Sequence, residues 1–304
     1  IRRQRQMCIR DRRRGIPAGP RPVSRWLVEQ LHADFQLGLK ADKVLYDSET
    51  EHQRLVLFEN ASFGRVLTLD SVVQTTEADE FIYHEMLAHL PLFAHGAAKK
   101  VLIVGGGDGG MLEEVLKHRG VVKVTQVEID AGVIEFSKQY LRSICKDAYE
   151  DPRLDLVIGD GADFVASCAE RYDVAIVDSS DPVGPGEVLF TDTFYGKARN
   201  CLAPGGILVT QNGVPFLQGE ELANTLRAFK ALFADAACYL ATVPSYAGGP
   251  MAFGWGCDDV AKRQVSPEVL AQRYRDSGIA TRYYNPAVHQ AAFALPNYIA
   301  ELLS

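Results

Sequence analysis

The densest set of chemically active side chains is the segment Asp178-Ser179-Ser180-Asp181-Pro182-Val183-Gly184-Pro185, which follows a predicted strand. Two carboxylates this close raise each other's pKa, and a nearby cation lowers both. An amine nucleophile needs such surroundings, because an alkylammonium ion has a pKa near about 10 and cannot attack before it loses a proton. Asp178 could accept that proton while Asp181 holds the ammonium. The structural alternative is a surface Asx-Pro turn.

A second candidate segment is the glycine-rich loop Gly105–Gly110, which lies between a predicted strand and a predicted helix. Its glycines permit a tight turn and close approach of a ligand to the backbone. The loop alone fits a phosphate, a dinucleotide, adenosylmethionine or a plain βα turn. Asp108 narrows the choice, because its carboxylate would repel a pyrophosphate or the carboxylate of ordinary adenosylmethionine and would attract an amine.

Two further acidic positions follow predicted strands. Glu128 lies about 23 residues after the first glycine of the loop, where an acid can accept hydrogen bonds from both ribose hydroxyls. Asp160 and Gly161 could bond an adenine amino group and a ring nitrogen. Asp160 could equally cap the following helix, and Glu128 could be a solvated strand-end acid.

The elements that must position these acids alternate between strands and helices from Lys100 onward. The predicted strands are Lys100–Val104, Lys123–Glu128, Leu154–Ile158, Val174–Asp178 and Ile207–Gln211, and the helices are Gly110–His118, Ala131–Tyr140, Ala162–Cys168, Thr191–Leu202 and Glu220–Leu232. This order predicts right-handed βαβ units and a parallel, Rossmann-like sheet of the methyltransferase type with helices on both faces. An antiparallel pair, Ala237–Val243 and Pro250–Cys257, should close its edge without a further long helix. In such sheets the ligand lies outside the carboxyl ends of the strands, where Asp108, Glu128, Asp160 and Asp178 would meet.

The preceding part of the chain predicts a small β domain over residues 26–78, ahead of a catalytic domain over residues 79–304. Its strands are expected at Val44–Tyr46, Arg54–Phe58, Arg65–Leu69 and Val72–Thr75, followed by a helix at Asp79–Phe93. Residues 1–25 carry nine arginines and one aspartate and show no apolar periodicity, so we expect an unfolded tail. A transit peptide and a non-native extension are both open readings of it.

Bulk composition excludes several classes of function. The net charge of −7 leaves about −15 outside the tail, which disfavours nucleic acid and suits a cationic substrate or simple solubility. The six cysteines form no CxxC pair and the histidines no HExxH motif, so we expect no metal site and a reducing, cytoplasmic setting. No apolar stretch approaches the roughly 20 residues of a membrane span.

Together the motifs resemble the bacterial spermidine synthase family, from about Trp26 to the C-terminus. The stretches that carry the resemblance are Glu51-His52-Gln53, Phe58-Glu59-Asn60, Val72–Glu77, Asp79–Met86, Gly105–Gly110, Val127–Asp130, Asp178–Gly186 and Tyr283-Tyr284-Asn285-Pro286. The resemblance implies transfer of an aminopropyl group from decarboxylated S-adenosylmethionine, a co-substrate, to a diamine, putrescine above all. It implies direct in-line attack without a prosthetic group.

The resemblance also implies roles for individual residues. Gln53 and Glu128 would hold the nucleoside, Asp160 and Gly161 the adenine, and Pro185 would pack on the same moiety. Asp108 would bind the aminopropyl ammonium. The diamine would meet Asp178 as proton acceptor together with Gln74, Tyr83, His84, Ser179, Ser180, Asp181 and Tyr246. From the residues alone, His84 and both tyrosines are typical of core or boundary packing.

Two rival functions remain open from the sequence. An N-methyltransferase that uses adenosylmethionine would share the fold, although Asp108 and Asp181 argue against it. A catalytically silent polyamine sensor could use the same scaffold. Family likeness suggests a homodimer, but no periodic feature of the sequence demonstrates one.

Overall fold

The computed structural model describes residues 25–180 and 184–303. Residues 1–24, where the sequence predicts an unfolded tail, lie outside this range. So does Asp181, and of Pro185 only the backbone is described. Residue 25 belongs to the first strand rather than to the tail.

The first part of the described chain is built from antiparallel strands. They are β1 (Arg25–His32), β2 (Phe35–Ala41), β3 (Lys43–Glu49), β4 (Arg54–Asn60), β5 (Gly64–Leu69) and β6 (Val72–Thr76). β1 and β2 form a hairpin, while β3 to β6 form a four-stranded meander in chain order. Apolar side chains of the hairpin and the meander share one small core, including Leu39, Phe58 and Val66. The strands predicted from Val44 onward are confirmed. The strands β1 and β2 of the hairpin were not predicted.

The second part alternates between helices and strands. Its elements are α1 (Glu80–His95), β7 (Lys100–Gly105), α2 (Gly110–Leu116), β8 (Lys123–Glu128), α3 (Ala131–Tyr140), α4 (Arg142–Cys145), β9 (Leu154–Ile158), α5 (Gly161–Ser167), β10 (Tyr172–Asp178), α6 (Asp192–Asn200), β11 (Leu202–Gln211), α7 (Pro215–Leu232), β12 (Asp235–Ala241), β13 (Met251–Cys257), α8 (Pro267–Ser277), α9 (Pro286–Ala291) and α10 (Asn297–Leu302).

Within the described chain these strands form a seven-stranded sheet of order β12-β13-β11-β10-β7-β8-β9. β7 to β11 run parallel to one another, and β13 pairs antiparallel with both β11 and β12. The chain first builds outward from β7 to β9 and then returns to β10 on the other side of β7. The strand order therefore reverses between β7 and β10, which is where a doubly wound sheet opens a ligand crevice.

Apolar side chains cover both faces of the sheet. Val101 and Ile103 of β7 point into a core with α1 and α2, while Leu102 and Val104 point into a second core with α6 and α7. Alternate residues of a strand face opposite sides, so a continuous apolar run is required in a sheet covered on both faces. The expected fold class and the antiparallel closing pair are confirmed.

No helix lies between β12 and β13 in the described chain, in agreement with the predicted antiparallel pair, but a further helix, α8, follows the pair and was not predicted. α8 runs for 11 residues, its N-cap Ser266 accepts a hydrogen bond from the Val269 N–H, and Pro267 occupies the first turn. Gly278 ends the helix in the left-handed conformation, with φ of 65°. These are ordinary start and stop signals, but a polar helix with Leu270 as its buried residue gives little apolar periodicity to detect.

Candidate active site

A cavity of about 310 Å³ opens at the carboxyl ends of β7, β8 and β10, between the sheet and the β1–β6 region. Most of the side chains predicted for the site line it: Gln53, Gln74, Tyr83, His84, Asp108, Glu128, Asp160, Gly161, Asp178, Ser179, Ser180 and Tyr246. The exceptions, Asp181 and the side chain of Pro185, lie outside the described part of the structure. Residues far apart in the chain are thus gathered at one edge of the sheet.

Asp178 ends β10 and lines this cavity. Its Oδ1 accepts a 2.6 Å hydrogen bond from the phenol of Tyr83, and its Oδ2 is buried without a hydrogen-bond partner among the described residues. Burial raises the pKa of Asp178 to about 6, with the charge of Asp108 adding to the effect and His84 and Tyr83 opposing it. A carboxylate in this state can take up a proton near neutral pH.

Asp108 lies in the glycine loop and is fixed from two sides. Its Oδ1 accepts a 2.9 Å hydrogen bond from the Gly110 N–H, and its Oδ2 lies 3.4 Å from Nε2 of His84. Burial disfavours its ionised form, but the charge and the hydrogen bond of His84 outweigh burial and hold the pKa of Asp108 below its ordinary value. Asp108 is therefore a partly buried but ionised carboxylate.

His84 projects from α1 and is almost completely buried. Its Nδ1 lies 2.7 Å from Oε2 of Glu80, one turn earlier in the helix. Burial alone would lower the pKa of His84, yet the carboxylates of Asp108 and Glu80 hold it well above the ordinary value. The ring packs directly on Gly110, where an added Cβ would lie only 2.3 Å from Cε1.

The loops after β7 and β10 are held by glutamine side chains from the flanking strands. Nε2 of Gln126 donates to the carbonyls of Gly105 and Gly106, at 3.0 and 2.8 Å. Nε2 of Gln211 donates to the carbonyls of Ser179 and Ser180, at 3.1 and 3.2 Å. These bonds secure carbonyls at and just beyond the ends of β7 and β10, and neither glutamine was predicted for the site.

Glu128 ends β8 beside the glycine loop. Its Oε1 accepts a 3.0 Å hydrogen bond from the Asp130 N–H, and burial raises its pKa to about 7. An added Cβ on Gly107 would lie 3.0 Å from Oε2 of Glu128, so the glycine leaves that oxygen room. Gln53 lies nearby and donates from Nε2 to Oδ2 of Asp130 at 3.1 Å.

Asp160 performs the capping role that the sequence left open. Its Oδ1 accepts hydrogen bonds from Ala162 N at 2.6 Å and Asp163 N at 3.4 Å, at the start of α5. The side chain also lines the cavity, so one carboxylate can cap the helix and border the ligand space. Gly161 packs against Val104, whose Cγ1 would lie 2.4 Å from an added Cβ.

Aromatic side chains also line the cavity. The rings of Tyr83 and Tyr246 meet edge to face with centroids 5.9 Å apart, and the Tyr246 phenol donates to the backbone carbonyl of Gln74. The hairpin β1–β2 adds Glu29, His32 and Phe35 to the lining, and Glu29 accepts a 2.7 Å hydrogen bond from Val73 N. The hairpin residues were missed because no local sequence signal links them to the sheet.

The family models match most of the chain. The model described as "Spermine/spermidine synthase domain" matches residues 80–265, and the one described as "Spermidine synthase tetramerisation domain" matches residues 25–77. The chain belongs to the spermine/spermidine synthase family. This confirms the resemblance found in the sequence, and with it the expected enzyme class, an aminopropyltransferase.

Individual relatives agree with this assignment. The chain is similar to a polyamine aminopropyltransferase of Ruegeria sp. (strain TM1040), with 60% identity over 91% of this chain and 98% of the relative. It is similar to polyamine aminopropyltransferase 1 of Pseudomonas aeruginosa, with 55% identity over 90% and 96%. Spermidine synthase in complex with the transition-state analogue AdoDATO superposes with a TM-score of 0.88 and 37% identity, covering 94% of this chain and 96% of the other. The enzyme from Thermotoga maritima gives 0.85 and 36%, covering 94% and 95%.

The described residues contain no group of three or more His, Cys, Asp or Glu side chains arranged to hold a metal ion. None of the helices in this part of the chain combines the length and apolar character needed to cross a membrane.

Proposed function

We propose that this enzyme transfers an aminopropyl group from decarboxylated S-adenosylmethionine to putrescine, giving spermidine and 5'-methylthioadenosine. The observation that carries the proposal is the pair of partly buried carboxylates, Asp108 and Asp178, at the strand-order reversal. Asp108 is held ionised, while Asp178 has a pKa raised to about 6 and one unpartnered oxygen among the described residues. Asp108 is therefore suited to binding a permanent cation, and Asp178 is suited to accepting a proton.

On the donor side, Asp108 binds the ammonium of the aminopropyl chain. A carboxylate on the same carbon, as in intact adenosylmethionine, would be repelled by it in this enclosed site. Glu128 and Gln53 hold the ribose, Asp160 and Gly161 the adenine, and Pro185 packs on the nucleoside. The solved relative that carries the transition-state analogue AdoDATO supports a shared reaction type.

On the acceptor side, Asp178 takes a proton from the attacking ammonium of the diamine through Oδ2. Its neighbours Ser179 and Ser180, together with Gln74, Tyr83, His84 and Tyr246, border the diamine, and Asp181 pairs with its charge. The amine nitrogen then attacks the propyl carbon in line with the sulfonium. The new C–N bond forms as the C–S bond breaks. The electron pair of the broken C–S bond stays on sulfur, and the leaving group is neutral methylthioadenosine.

The sulfonium is already a good leaving group, so the protein mainly supplies orientation and a base. Holding two reactants in the correct relative orientation lowers the activation barrier by about 7–11 kcal/mol in well-oriented intramolecular reactions. The two aspartates lie at the ends of adjacent strands whose register pairs Asp178 with Gly105. This pairing supports a short and fixed path between donor and acceptor.

Thermal unfolding in the presence of ligands separates this proposal from an N-methyltransferase. Decarboxylated adenosylmethionine and methylthioadenosine should raise the Tm, because ligands that bind the folded state stabilise it. Intact adenosylmethionine should raise it far less, since its carboxylate faces Asp108. Equal shifts from both forms of adenosylmethionine would favour the methyltransferase.

An acceptor panel tests the choice of putrescine. The enzyme would be incubated with the decarboxylated donor and with putrescine, cadaverine or spermidine, and the products identified by mass spectrometry. We expect the highest kcat/KM with putrescine. A longer polyamine as the best acceptor would overturn this part of the proposal while leaving aminopropyl transfer intact.

We also propose that the chain forms a homodimer or a larger assembly through its β region. The family model that matches residues 25–77 is described as a tetramerisation domain, which supports this surface as the interface. Trp26 and Val28 of β1 are exposed in the single chain, as an interface would require. Sedimentation equilibrium should give a dimer or tetramer mass, whereas a monomer would contradict the proposal.

A cytoplasmic location is proposed from the thiols. The described cysteines, Cys145, Cys168, Cys201, Cys238 and Cys257, are all free. Free thiols persist in a reducing compartment. Fractionation of cells that express the protein would test the location, and recovery from an oxidising compartment would contradict it.

A further inference from the structure

Consecutive residues of α1 each hold one of the two central aspartates. The Tyr83 phenol donates to Oδ1 of Asp178 at 2.6 Å, while Nε2 of His84 lies 3.4 Å from Oδ2 of Asp108. The two aspartates belong to the loops and ends of adjacent parallel strands, β10 and β7. One helix therefore contacts both carboxylates, but with two chemically different groups.

The two contacts differ in charge. Burial and the nearby Asp178 charge raise the pKa of Tyr83 well above its ordinary value, so the phenol is a neutral donor. The His84 ring faces a carboxylate from each nitrogen, Glu80 at Nδ1 and Asp108 at Nε2. Burial opposes a charge on the ring, but these two carboxylates raise the pKa of His84 well above its ordinary value, which favours the imidazolium.

The difference in charge between the two contacts agrees with the opposite pKa shifts of Asp108 and Asp178. The pKa of Asp108 lies below its ordinary value because the His84 cation outweighs burial. The pKa of Asp178 rises to about 6, because the neutral phenol and the more distant His84 charge do not offset burial. The other titratable groups whose charges reach the aspartates or His84 are Glu80, Glu128, Cys145 and Tyr149.

We propose that Tyr83 and His84 are positioning residues that divide the work between the aspartates. His84, oriented by Glu80 and by its packing on Gly110, acts through Asp108 and keeps it a permanent carboxylate for the donor ammonium. Tyr83 orients Asp178 through a neutral bond and leaves it basic enough to accept a proton. This inference rests on the proposed function, because it assigns the same two carboxylates to donor and acceptor.

The test compares the donor with methylthioadenosine, which lacks the aminopropyl ammonium. The ratio of their Kd values reports the ammonium site, since ribose and adenine contacts cancel. The Kd ratio is measured from about pH 5.5 to about pH 8.5 in two proteins, Asp178→Asn and the double variant Asp178→Asn, His84→Gln. The Asp178→Asn substitution is present in both because it removes the titration of Asp178 from the measurement. Without the imidazolium, Asp108 should behave like the enclosed Asp178 and become protonated as the pH falls.

We expect the preference for the donor to stay constant with pH in Asp178→Asn. In the double variant it should fall by about fourfold towards pH 5.5, because a carboxyl group with a pKa of about 6, like that of Asp178, is about three-quarters protonated at that pH. The same constant ratio in both proteins would overturn the role of His84. No preference for the donor in Asp178→Asn at any pH would instead contradict the proposed function of Asp108.

Two further variants complete the test. Tyr83→Phe keeps the ring packing and should move the acidic limb of kcat to higher pH without changing the Kd ratio, since its phenol favours ionised Asp178. An unmoved limb would overturn the role of Tyr83. Glu80→Gln replaces His84→Gln in the test if His84→Gln does not fold. Like His84→Gln, it should reduce the preference for the donor over methylthioadenosine at low pH. A pH-independent preference in Glu80→Gln would likewise contradict the proposal.

Discussion

The backbone N–H of Gly106 donates a 2.9 Å hydrogen bond to the carbonyl of Asp178. This bond joins the glycine loop after β7 to the segment after β10 at the level where the strand ladder ends. An added Cβ on Gly106 would lie 2.9 Å from Oδ2 of Asp178, so the glycine is needed for this approach. The proposed donor and acceptor sites are therefore parts of one connected unit.

Replacing Asp178 by Asn should reduce kcat by about 10²–10⁴, because it removes the general base and keeps the shape of the side chain. The folded protein should survive, and the ligand-free Tm near pH 8 should not fall. The pKa of Asp178 is raised from 3.8 to about 6, so above that pH its charge destabilises the folded state. The exposed Asp163→Asn is the matched control, and wild-type turnover in Asp178→Asn would remove this residue from its role.

The activity should depend on pH through Asp178. Its carboxylate must be ionised to accept a proton, and its pKa is about 6 in the ligand-free site, so kcat/KM for the donor should fall as the pH drops below about 6. Two bound cations favour the ionised form, so the limb of kcat should lie at lower pH than that of kcat/KM. Full pH profiles of kcat and kcat/KM measure the two acidic limbs. A kcat limb at higher pH than the kcat/KM limb would contradict this prediction.

Replacing Gln211 by Leu should damage both stability and the acceptor side. The change leaves the carbonyls of Ser179 and Ser180 without their amide donor, and Gly213 N without Oε1, which accepts from it at 2.9 Å. We expect the free energy of unfolding to fall by about 1–3 kcal/mol, as for buried polar groups left unpaired.

The kinetic readout distinguishes positioning from simple destabilisation. KM for the diamine should rise more than KM for the donor in Gln211→Leu. Thr210→Val is the control. It removes a buried hydrogen bond to Asn212 from the neighbouring position of β11, whose side chain faces the other side of the sheet from Gln211. Equal effects of the two variants on the diamine KM would contradict a positioning role for Gln211.

Glu85 should be a stabilising rather than a catalytic carboxylate. It is buried in α1 and accepts backbone hydrogen bonds from Arg282, Tyr283 and Tyr284 at 2.7, 2.8 and 2.8 Å. Glu85→Gln turns one acceptor into a donor that faces N–H groups, so the free energy of unfolding should fall by about 1.5–3 kcal/mol.

Denaturant unfolding measures this change. Because Glu85 does not line the cavity, kcat of the folded variant should remain within about threefold of the wild-type value, a change of less than about 1 kcal/mol in barrier height. Unchanged stability, or a loss of turnover without loss of stability, would contradict the structural role.

The strand-end acids could be predicted from the sequence because they depend on local order and on one general rule. Asp108, Glu128, Asp160 and Asp178 each follow or end a parallel strand, and the carboxyl ends of such strands meet at one edge. The capping alternative for Asp160 was equally visible, since an Asp before a helix is a common N-cap. The structure shows that this side chain both caps and lines the cavity.

Partners set by tertiary packing could not be predicted. The contact of His84 with Asp108 depends on how α1 lies against the glycine loop, which spacing along the chain does not encode. Its contact with Glu80, by contrast, is an i,i+4 pair within α1 and follows from helical spacing. Gln211 is an ordinary strand-end residue until its neighbour β10 is known. Likewise, Glu29 reaches the cavity only because the hairpin folds beside β6.

The most direct test of the central claim is product analysis by mass spectrometry with putrescine as acceptor. Decarboxylated S-adenosylmethionine should give spermidine and methylthioadenosine in equal amounts, and intact S-adenosylmethionine should give neither at a comparable rate. Methylated putrescine with S-adenosylhomocysteine, or no spermidine from the decarboxylated donor, would contradict the account.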